Sequence, residues 1–146
     1  MSLLLEVAST ASTVPPVEFG VVGIYRLRLK LCELSGGPLA AIFRSISEAY
    51  GYPIPQRKEE MARLDKNLHA IEIEGVEPPG LIHFCIASDI IGSISASDCE
   101  DLLRIIGNNR SSLCFGPRSR QHHGTLGWFK KLLEECVRLN CDLKWS

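Results

Sequence analysis

The stretch LIHFCIASDIIGSISASDCEDLLRIIG, residues 81–107, decides the fold of this chain, because it carries the best-specified order of elements in the sequence. Residues 81–87 form an apolar run in which His83 is the only strongly polar side chain. A short apolar run that ends in a polar pair, here Ser88–Asp89, is typical of a central strand buried on both faces. The prolines and glycine at 78–80 mark the loop before it. We therefore predict a buried strand over residues 81–87.

A helix with well-defined ends follows this strand. Ser95 and Asp98 have the spacing of a capping box, in which the serine hydroxyl accepts a hydrogen bond from the third helical amide and the acidic side chain reaches back. Acidic residues crowd the first turns, where the helix dipole favours negative charge. Apolar residues then recur at helical spacing until Gly107, which is a typical stop. The sequence predicts a helix between Ser95 and Gly107.

Hydrophobic periodicity predicts the elements on both sides of this stretch. The amphipathic patterns indicate helices, and strict alternation indicates strands. In chain order we expect a helix over 21–34, a second helix over 39–50 after a glycine turn, a short exposed helix over 57–66, an edge strand over 70–74, a helix between Thr125 and Asn140, and a terminal strand over 142–145.

Together these elements predict a single α+β domain, in which a small sheet of three to four strands packs against about four helices. A chain of 146 residues is long enough for one such domain. We expect the domain to cover residues 19–146 and residues 1–18 to form an N-terminal arm or linker, since Ser, Thr and Pro dominate residues 9–16. Residues 3–8 fit a short strand and a frayed arm equally well.

The bulk composition restricts the partners and the location of the protein. The formal net charge is −1, which argues against a nucleic-acid partner bound through overall charge. No segment approaches the ~20 apolar residues of a membrane span, and the N-terminal residues lack the basic region of a signal peptide. We therefore expect a soluble cytoplasmic protein without a membrane partner, and the oligomeric state stays open.

The six cysteines predict free thiols rather than disulfides or a metal site. Most of them fall on apolar faces of predicted elements, where reduced cysteine behaves as a small hydrophobic residue. No C-x-x-C pair occurs, so a zinc ribbon and a thioredoxin-like motif both lack their simplest signal. On a strand His83 and Cys85 would share a face, but a zinc site needs a third ligand with suitable geometry. We expect no metal, no cofactor and a buried His83 bonded to a backbone carbonyl.

Two segments, Gly23-Ile-Tyr-Arg-Leu-Arg28 and Ser88-Asp89-Ile-Ile-Gly92, resemble motifs of a group of small uncharacterised bacterial proteins. In that group a His-Ser-Asp-Cys-Asp-Gly-like turn precedes an acidic capped helix, and the order of elements is similar from about residue 20 onward. Here Ala87 stands in the place of the histidine, and Ile90 and Ile91 replace Cys and Asp, so most of the acidic or metal-like character of that turn is absent. The resemblance implies a fold and a bacterial source, and no activity.

The Ser88–Asp89 turn is the first candidate site. Asp89 can pair with Arg26 or Arg28 of the first helix, and such a charged hydrogen bond would either latch that helix onto the sheet or hold a ligand. Ligands of α/β sheets often lie beyond the carboxyl ends of strands, which favours this place over others. We therefore name Arg28, Ser88 and Asp89 as candidate binding residues.

The loop over residues 108–124 is the second candidate site. It has no periodicity, and it carries Arg118, Arg120, His122 and His123 among serines and glycines. Arginine, histidine and aromatic residues in one loop suit a protein partner or, less well given the net charge, a nucleic acid or phosphate. Cys114 in the same loop is the candidate for a thiol nucleophile, which would need a neighbouring base.

These observations favour a non-enzymatic protein-interaction or accessory domain, such as an immunity-type factor, with the turn and the loop as its contact surfaces. The alternative is a small enzyme, or a metal- or ligand-binding protein, with His83, Asp89 and His122 or His123 around one pocket. The alternative requires at least two of these groups to converge on one concave site.

Overall fold

The computed structural model of the protein describes residues 2–88, 90–109 and 124–146, which form six helices and a four-stranded antiparallel sheet. The predicted α+β class is confirmed. The strands are β1 (Ser2–Val7), β2 (Val17–Gly20), β3 (Gly92–Ile94) and β4 (Leu143–Trp145). The helices are α1 (Val21–Ser35), α2 (Leu39–Ala49), α3 (Ile54–Glu74), α4 (Pro79–Ile86), α5 (Ala96–Ile106) and α6 (Leu126–Leu139).

Strand β1 lies inside the sheet, whose strand order is β2-β1-β4-β3. It pairs with β2, where Leu3 faces Phe19, and with β4, where Leu5 faces Trp145. Of the strand and the frayed arm considered for residues 3–8, the strand is therefore present. The segment predicted as an N-terminal arm or linker, residues 1–18, thus contributes β1 and the start of β2 to the sheet.

The sheet has one buried and one exposed face, as period-two alternation requires. Leu3, Leu5 and Val7 of β1 point inward and are buried, and they belong to the same hydrophobic core as residues of all six described helices. On the outer face Glu6 forms an ion pair with Lys144 of β4 at 3.4 Å. The fold is therefore a two-layer arrangement of helices on one side of a small sheet.

The predicted ends of α5 and α6 are confirmed. The Ser95 hydroxyl accepts a hydrogen bond from the amide of Asp98, and the Asp98 carboxylate accepts one from the amide of Ser95, both at 3.1 Å. The Thr125 hydroxyl accepts from the amide of Trp128 at 3.2 Å. Asn140 ends α6 in the left-handed conformation, with φ of 49°.

The predicted buried strand over residues 81–87 is wrong, because this segment is helix α4. Pro79 occupies the first turn, where its missing N–H is not needed. Five of the eight residues of α4 are buried, so the helix is apolar on most of its circumference and lacks a polar face that would reveal its period. A short apolar run fits a buried strand and a buried helix equally well. The strand in this region is β3, which precedes α5.

The predicted edge strand over residues 70–74 is also wrong, because these residues are the end of α3. Ile71 is 6% exposed and Ile73 is 85% exposed. Residues two apart lie on the same face of a strand but on nearly opposite sides of a helix, which explains this difference. The exposed helix predicted for residues 57–66 is present, and it extends to Glu74.

Candidate functional site

The turn after α4 is held in place by hydrogen bonds to its backbone. The indole N–H of Trp145 in β4 donates to the carbonyl of Ser88 at 2.9 Å. The Ser88 hydroxyl accepts from the amides of Ile90 and Ile91 at 3.2 and 3.4 Å. The predicted candidate Ser88 is therefore exposed in a turn that is anchored to the sheet. Asp89 lies outside the described residues.

Arg28 reaches this turn from α1. It is only 3% exposed, its Nη2 donates to the carbonyl of Ala87 at 3.0 Å, and its guanidinium carbon lies 5.2 Å from the centre of the Phe84 ring. A charged hydrogen bond and a cation–π contact hold the side chain in one place. Arg28 thus connects α1 to the end of α4, and its predicted pair with Asp89 stays a prediction.

His83 does not have the environment predicted for it. Its side chain is exposed on α4, and its Nδ1 donates to Oδ1 of Asp98 at 2.8 Å. Cys85, two residues away, points into the core, since helical geometry places the two on different sides. The buried His83 with a carbonyl partner is therefore wrong, and so is a shared face for His83 and Cys85.

Three large apolar side chains are exposed around the Ser88 turn. Ile86 at the end of α4 is 52% exposed, and Ile90 and Ile91 after the turn are 60% and 72% exposed. We call these three residues the isoleucine corner. They lie within six residues of the chain, and exposed apolar side chains that are neighbours mark interaction surfaces more often than scattered ones do.

A concave groove of about 540 Å³ lies between α1 and α2, with α4 at its base. Two thirds of its lining side chains are apolar or aromatic: Val21, Val22, Tyr25, Phe43, Ile46 and Tyr50. The remaining lining residues are Arg26, Arg28 and Cys85. No acidic residue is among those that line the groove in the described part of the chain.

The aromatic wall of the groove is tied together. The rings of Tyr25 in α1 and Phe43 in α2 stack at 5.4 Å with an angle of 16° between their planes. The Tyr25 hydroxyl also donates to the carbonyl of Phe43 at 3.3 Å. At the mouth, the Arg57 guanidinium lies 5.9 Å from the Tyr50 ring and donates to the carbonyl of Tyr50. The groove therefore exists before any ligand arrives.

The other end of the α1–α2 hairpin is closed by a buried carboxylate. Glu77, in the connection between α3 and α4, is 3% exposed. It accepts a hydrogen bond from the Ser35 hydroxyl at 2.7 Å and one from the amide of Leu39 at 3.3 Å. Glu77 thus fixes the end of α1 and the beginning of α2 together.

Cys85 and Cys136 are poor nucleophiles. The Sγ atoms of Cys32 and Cys85 lie 3.5 Å apart in the core, and this contact together with burial raises the pKa of the Cys85 thiol well above its usual value. The contact with Cys99 and burial likewise raise the pKa of Cys136. Because the thiolate is the reactive form, these residues behave as core side chains. Five cysteines in the described ranges are free thiols, as predicted.

Several predicted site residues cannot be placed next to one another. Arg118, Arg120, His122 and His123, and also Cys114, lie outside the described residues, as does Asp89. At Gly107, the residue that ends α5, the carbonyl accepts a hydrogen bond from the Lys130 ammonium of α6 at 2.7 Å. The convergence on which the enzyme alternative depends therefore stays a prediction.

Within residues 2–88, 90–109 and 124–146, no group of three or more His, Cys, Asp or Glu side chains is arranged to hold a metal ion. Among the helices of the same ranges, none combines the length and the apolar character that crossing a bilayer requires.

The groove was not predicted from the sequence. Its apolar side chains in α2, Phe43 and Ile46, fit the core-facing stripe of an amphipathic helix, which is the simpler interpretation of the pattern over residues 39–50. Tyr25 and Tyr50 are the residues of the sequence that could have indicated this groove, because a tyrosine hydroxyl usually lies where an apolar surface meets water. No protein-family model, no curated protein and no solved structure matches this chain, so its function is argued from geometry.

Proposed function

We propose that the protein is a non-enzymatic interaction or accessory domain that binds a protein partner through the isoleucine corner, in the manner of an immunity-type factor. The observation that carries the proposal is the exposure of Ile86, Ile90 and Ile91 around one turn. Fully burying an isoleucine side chain contributes about 1.5–3 kcal/mol, so a partner that covers all three would gain substantially.

The base of the corner is suited to binding because it is preorganised. Trp145 donates to the Ser88 carbonyl, and Ser88 accepts from the amides of both following isoleucines. A surface that is already ordered loses less conformational entropy when a partner binds. The partner we expect presents an apolar patch, because the three corner side chains carry no charge.

The test compares capture of proteins by the full chain and by two double variants. Ile90→Ser with Ile91→Ser removes most of the corner, and both residues are exposed, so the core is untouched. Ile73→Ser with Val76→Ser removes two equally exposed apolar side chains elsewhere and is the matched control. Captured proteins are quantified by mass spectrometry, and the strongest candidate is purified for a binding measurement.

We expect one protein to be retained by the wild type and the control and to be lost by the corner variant, and to form a stoichiometric complex after purification. Equal capture by the two double variants would contradict the proposal, as would a complex whose affinity does not change in the corner variant. Concentration-dependent sedimentation that the corner substitutions abolish would identify the partner as a second copy of this chain.

A bacterial cytoplasmic location belongs to the same proposal. It is supported by four buried cysteines that fill the core as small apolar groups, which reduced thiols do in a reducing compartment: Cys32, Cys85, Cys99 and Cys136. The small-enzyme alternative rests on the hydrogen bond between His83 and Asp98, because an acidic partner can orient a histidine base. His83 is not among the residues that line the groove, which favours the interaction domain.

A further inference from the structure

We infer that the groove between α1 and α2 binds a small organic acid with a planar aromatic body. The groove and the isoleucine corner share no residue, so this inference does not depend on the proposed protein partner. It rests on the size, the lining and the charge of the groove.

The size of the groove fits one small molecule. A volume of about 540 Å³ lies within the range of about 300–1,000 Å³ that small-molecule sites occupy. Side chains of three helices, α1, α2 and α4, surround it. A concave site of this kind encloses a compact ligand, whereas a protein surface would need a flatter and larger contact area.

The lining determines the body of the ligand. Tyr25 and Phe43 stack nearly parallel, and the hydrogen bond from the Tyr25 hydroxyl to the α2 backbone fixes their orientation. Aromatic rings pack favourably with one another at centroid distances of about 4.5–7 Å, either offset-stacked or edge to face. Val21 and Ile46 complete an apolar surface. A flat aromatic ring system is therefore the group that this wall fits best.

The charge of the groove favours a ligand that carries an anionic group beside its aromatic ring system. Arg26 lines the groove from the exposed side of α1, and it forms no ion pair with any residue that the structure describes. Its guanidinium can donate two parallel hydrogen bonds to a carboxylate. Arg28, the other arginine of the lining, is already engaged with Ala87 and Phe84, so Arg26 is the group that would contact the ligand. An anionic group is favoured because the described lining contains no carboxylate that would compete for Arg26.

The experiment measures binding of two matched probes to the full chain by isothermal titration calorimetry. The probes are 2-naphthoate and the uncharged 2-naphthalenemethanol, which share the ring system and differ in charge. Three variants are compared with the wild type. Arg26→Gln removes the guanidinium of Arg26, Val22→Trp fills the mouth from an exposed position, and Lys30→Gln removes a charge from the same helix outside the lining.

We expect 2-naphthoate to bind with one-to-one stoichiometry and its Kd to rise about tenfold or more in Arg26→Gln, since a hydrogen bond to a charged group is worth that factor. The alcohol should bind the wild type more weakly and ignore the Arg26 substitution. Val22→Trp should abolish binding of both probes, and Lys30→Gln should leave both unchanged. Amide shifts in the nuclear magnetic resonance spectrum should change along α1 and α2.

Four results would overturn the inference. They are no binding of 2-naphthoate at millimolar concentration, equal affinity for acid and alcohol, an effect of Lys30→Gln as large as that of Arg26→Gln, and shift changes confined to residues outside the groove. Self-association that Val22→Trp abolishes would assign the groove to a second copy and would overturn it equally. The Arg26→Gln and Val22→Trp variants should still form the protein complex that depends on the isoleucine corner. Failure of the groove proposal can then be distinguished from failure of the proposed protein interaction.

Discussion

Helices α4 and α5 pack against each other, yet they are specified in opposite ways. The ends of α5 are set by local interactions, namely the capping box between Ser95 and Asp98 and the glycine at 107. In α4 the residue before the helix, Pro78, offers no side-chain cap, and the first-turn amide of Gly80 donates instead to the Asp101 carboxylate of α5 at 2.9 Å. Most of α4 is buried in the core. Local interactions can be recognised in a sequence, whereas burial depends on what the rest of the chain supplies. Packing should therefore hold both helices in the core, and α5 should gain a further contribution from a cap that its own sequence supplies.

The largest effect is expected from Phe84→Ala in α4. The Phe84 ring is fully buried, stacks on Phe129 of α6 at 5.5 Å and meets the edge of Trp145 of β4 at 5.8 Å. Removing it should lower the free energy of unfolding by about 3–5 kcal/mol, because a cavity remains. Urea unfolding followed by circular dichroism measures this loss. Ile86→Ala, on the exposed side of the same helix, should change it by no more than about 0.5 kcal/mol.

The next largest effect is expected from Gly80→Ala, at the contact between the two helices. A Cβ atom at Gly80 would lie 2.5 Å from the carbonyl oxygen of Asp98 and 2.7 Å from Cβ of Asp101. The helices would have to separate, at a cost of about 1–3 kcal/mol, although alanine is the better helix former. Gly127→Ala in α6 is the control, since the nearest atom there is 3.8 Å away. Stabilisation by Gly80→Ala in thermal unfolding would show that the contact is looser than described.

A smaller loss is expected from Ser95→Ala at the cap of α5. The substitution removes the hydroxyl that accepts from the Asp98 amide, and such losses cost about 0.5–2 kcal/mol. Ser97→Ala, at an exposed position in the first turn, is the matched control and should be neutral or slightly stabilising. Hydrogen exchange of the first-turn amides should speed up in Ser95→Ala alone. Equal protection in both variants would mean that the cap adds nothing measurable to the stability of the first turn of α5.

The smallest effect is expected from His83→Gln, which breaks the side-chain hydrogen bond between the two helices. His83 is 46% exposed, so the bond to Asp98 is weakened by solvent and should contribute no more than about 0.5 kcal/mol. Chemical denaturation gives the free energy of unfolding of this variant and of the control His69→Gln, which replaces an exposed histidine of α3. The difference between the two values measures the contribution of the hydrogen bond. Hydrogen bonds to charged groups are worth about 1.5 kcal/mol or more when water does not weaken them. A larger loss of unfolding free energy than this would mean that the bond is shielded from water.

The same contrast explains how much of the fold could be predicted from the sequence. The helices with strong amphipathic faces or caps, α1, α2, α5 and α6, were predicted because each carries its own pattern. Residues 81–87 were assigned to a strand because an apolar run has no period. Ile71 and Ile73 alternate with glutamates by coincidence, and only the packing of α3 on α2 shows that one is buried and the other exposed. Strand β3 is three residues long and is defined by its pairing with β4.

The candidate sites show the same limit. Ser88 and Arg28 were named from short motifs, and the structure places both at the turn after α4, where Arg28 contacts Ala87. The groove could not be found in this way, because Tyr25 and Phe43 are eighteen residues apart and meet only when the α1–α2 hairpin closes. A site shared by two helices depends on their crossing, and no single segment records it.

The buried carboxylate of Glu77 limits how far helices α1 and α2 can move apart. It holds Ser35 and Leu39 together at one end of the hairpin, and the stack of Tyr25 on Phe43 joins the other end, where the groove lies between residues 21–28 and 43–50. Widening the groove would break one of these contacts or bend a helix, whereas a ligand that extends along the groove would break neither. A molecule held there would be selected by its thickness and scarcely by its length.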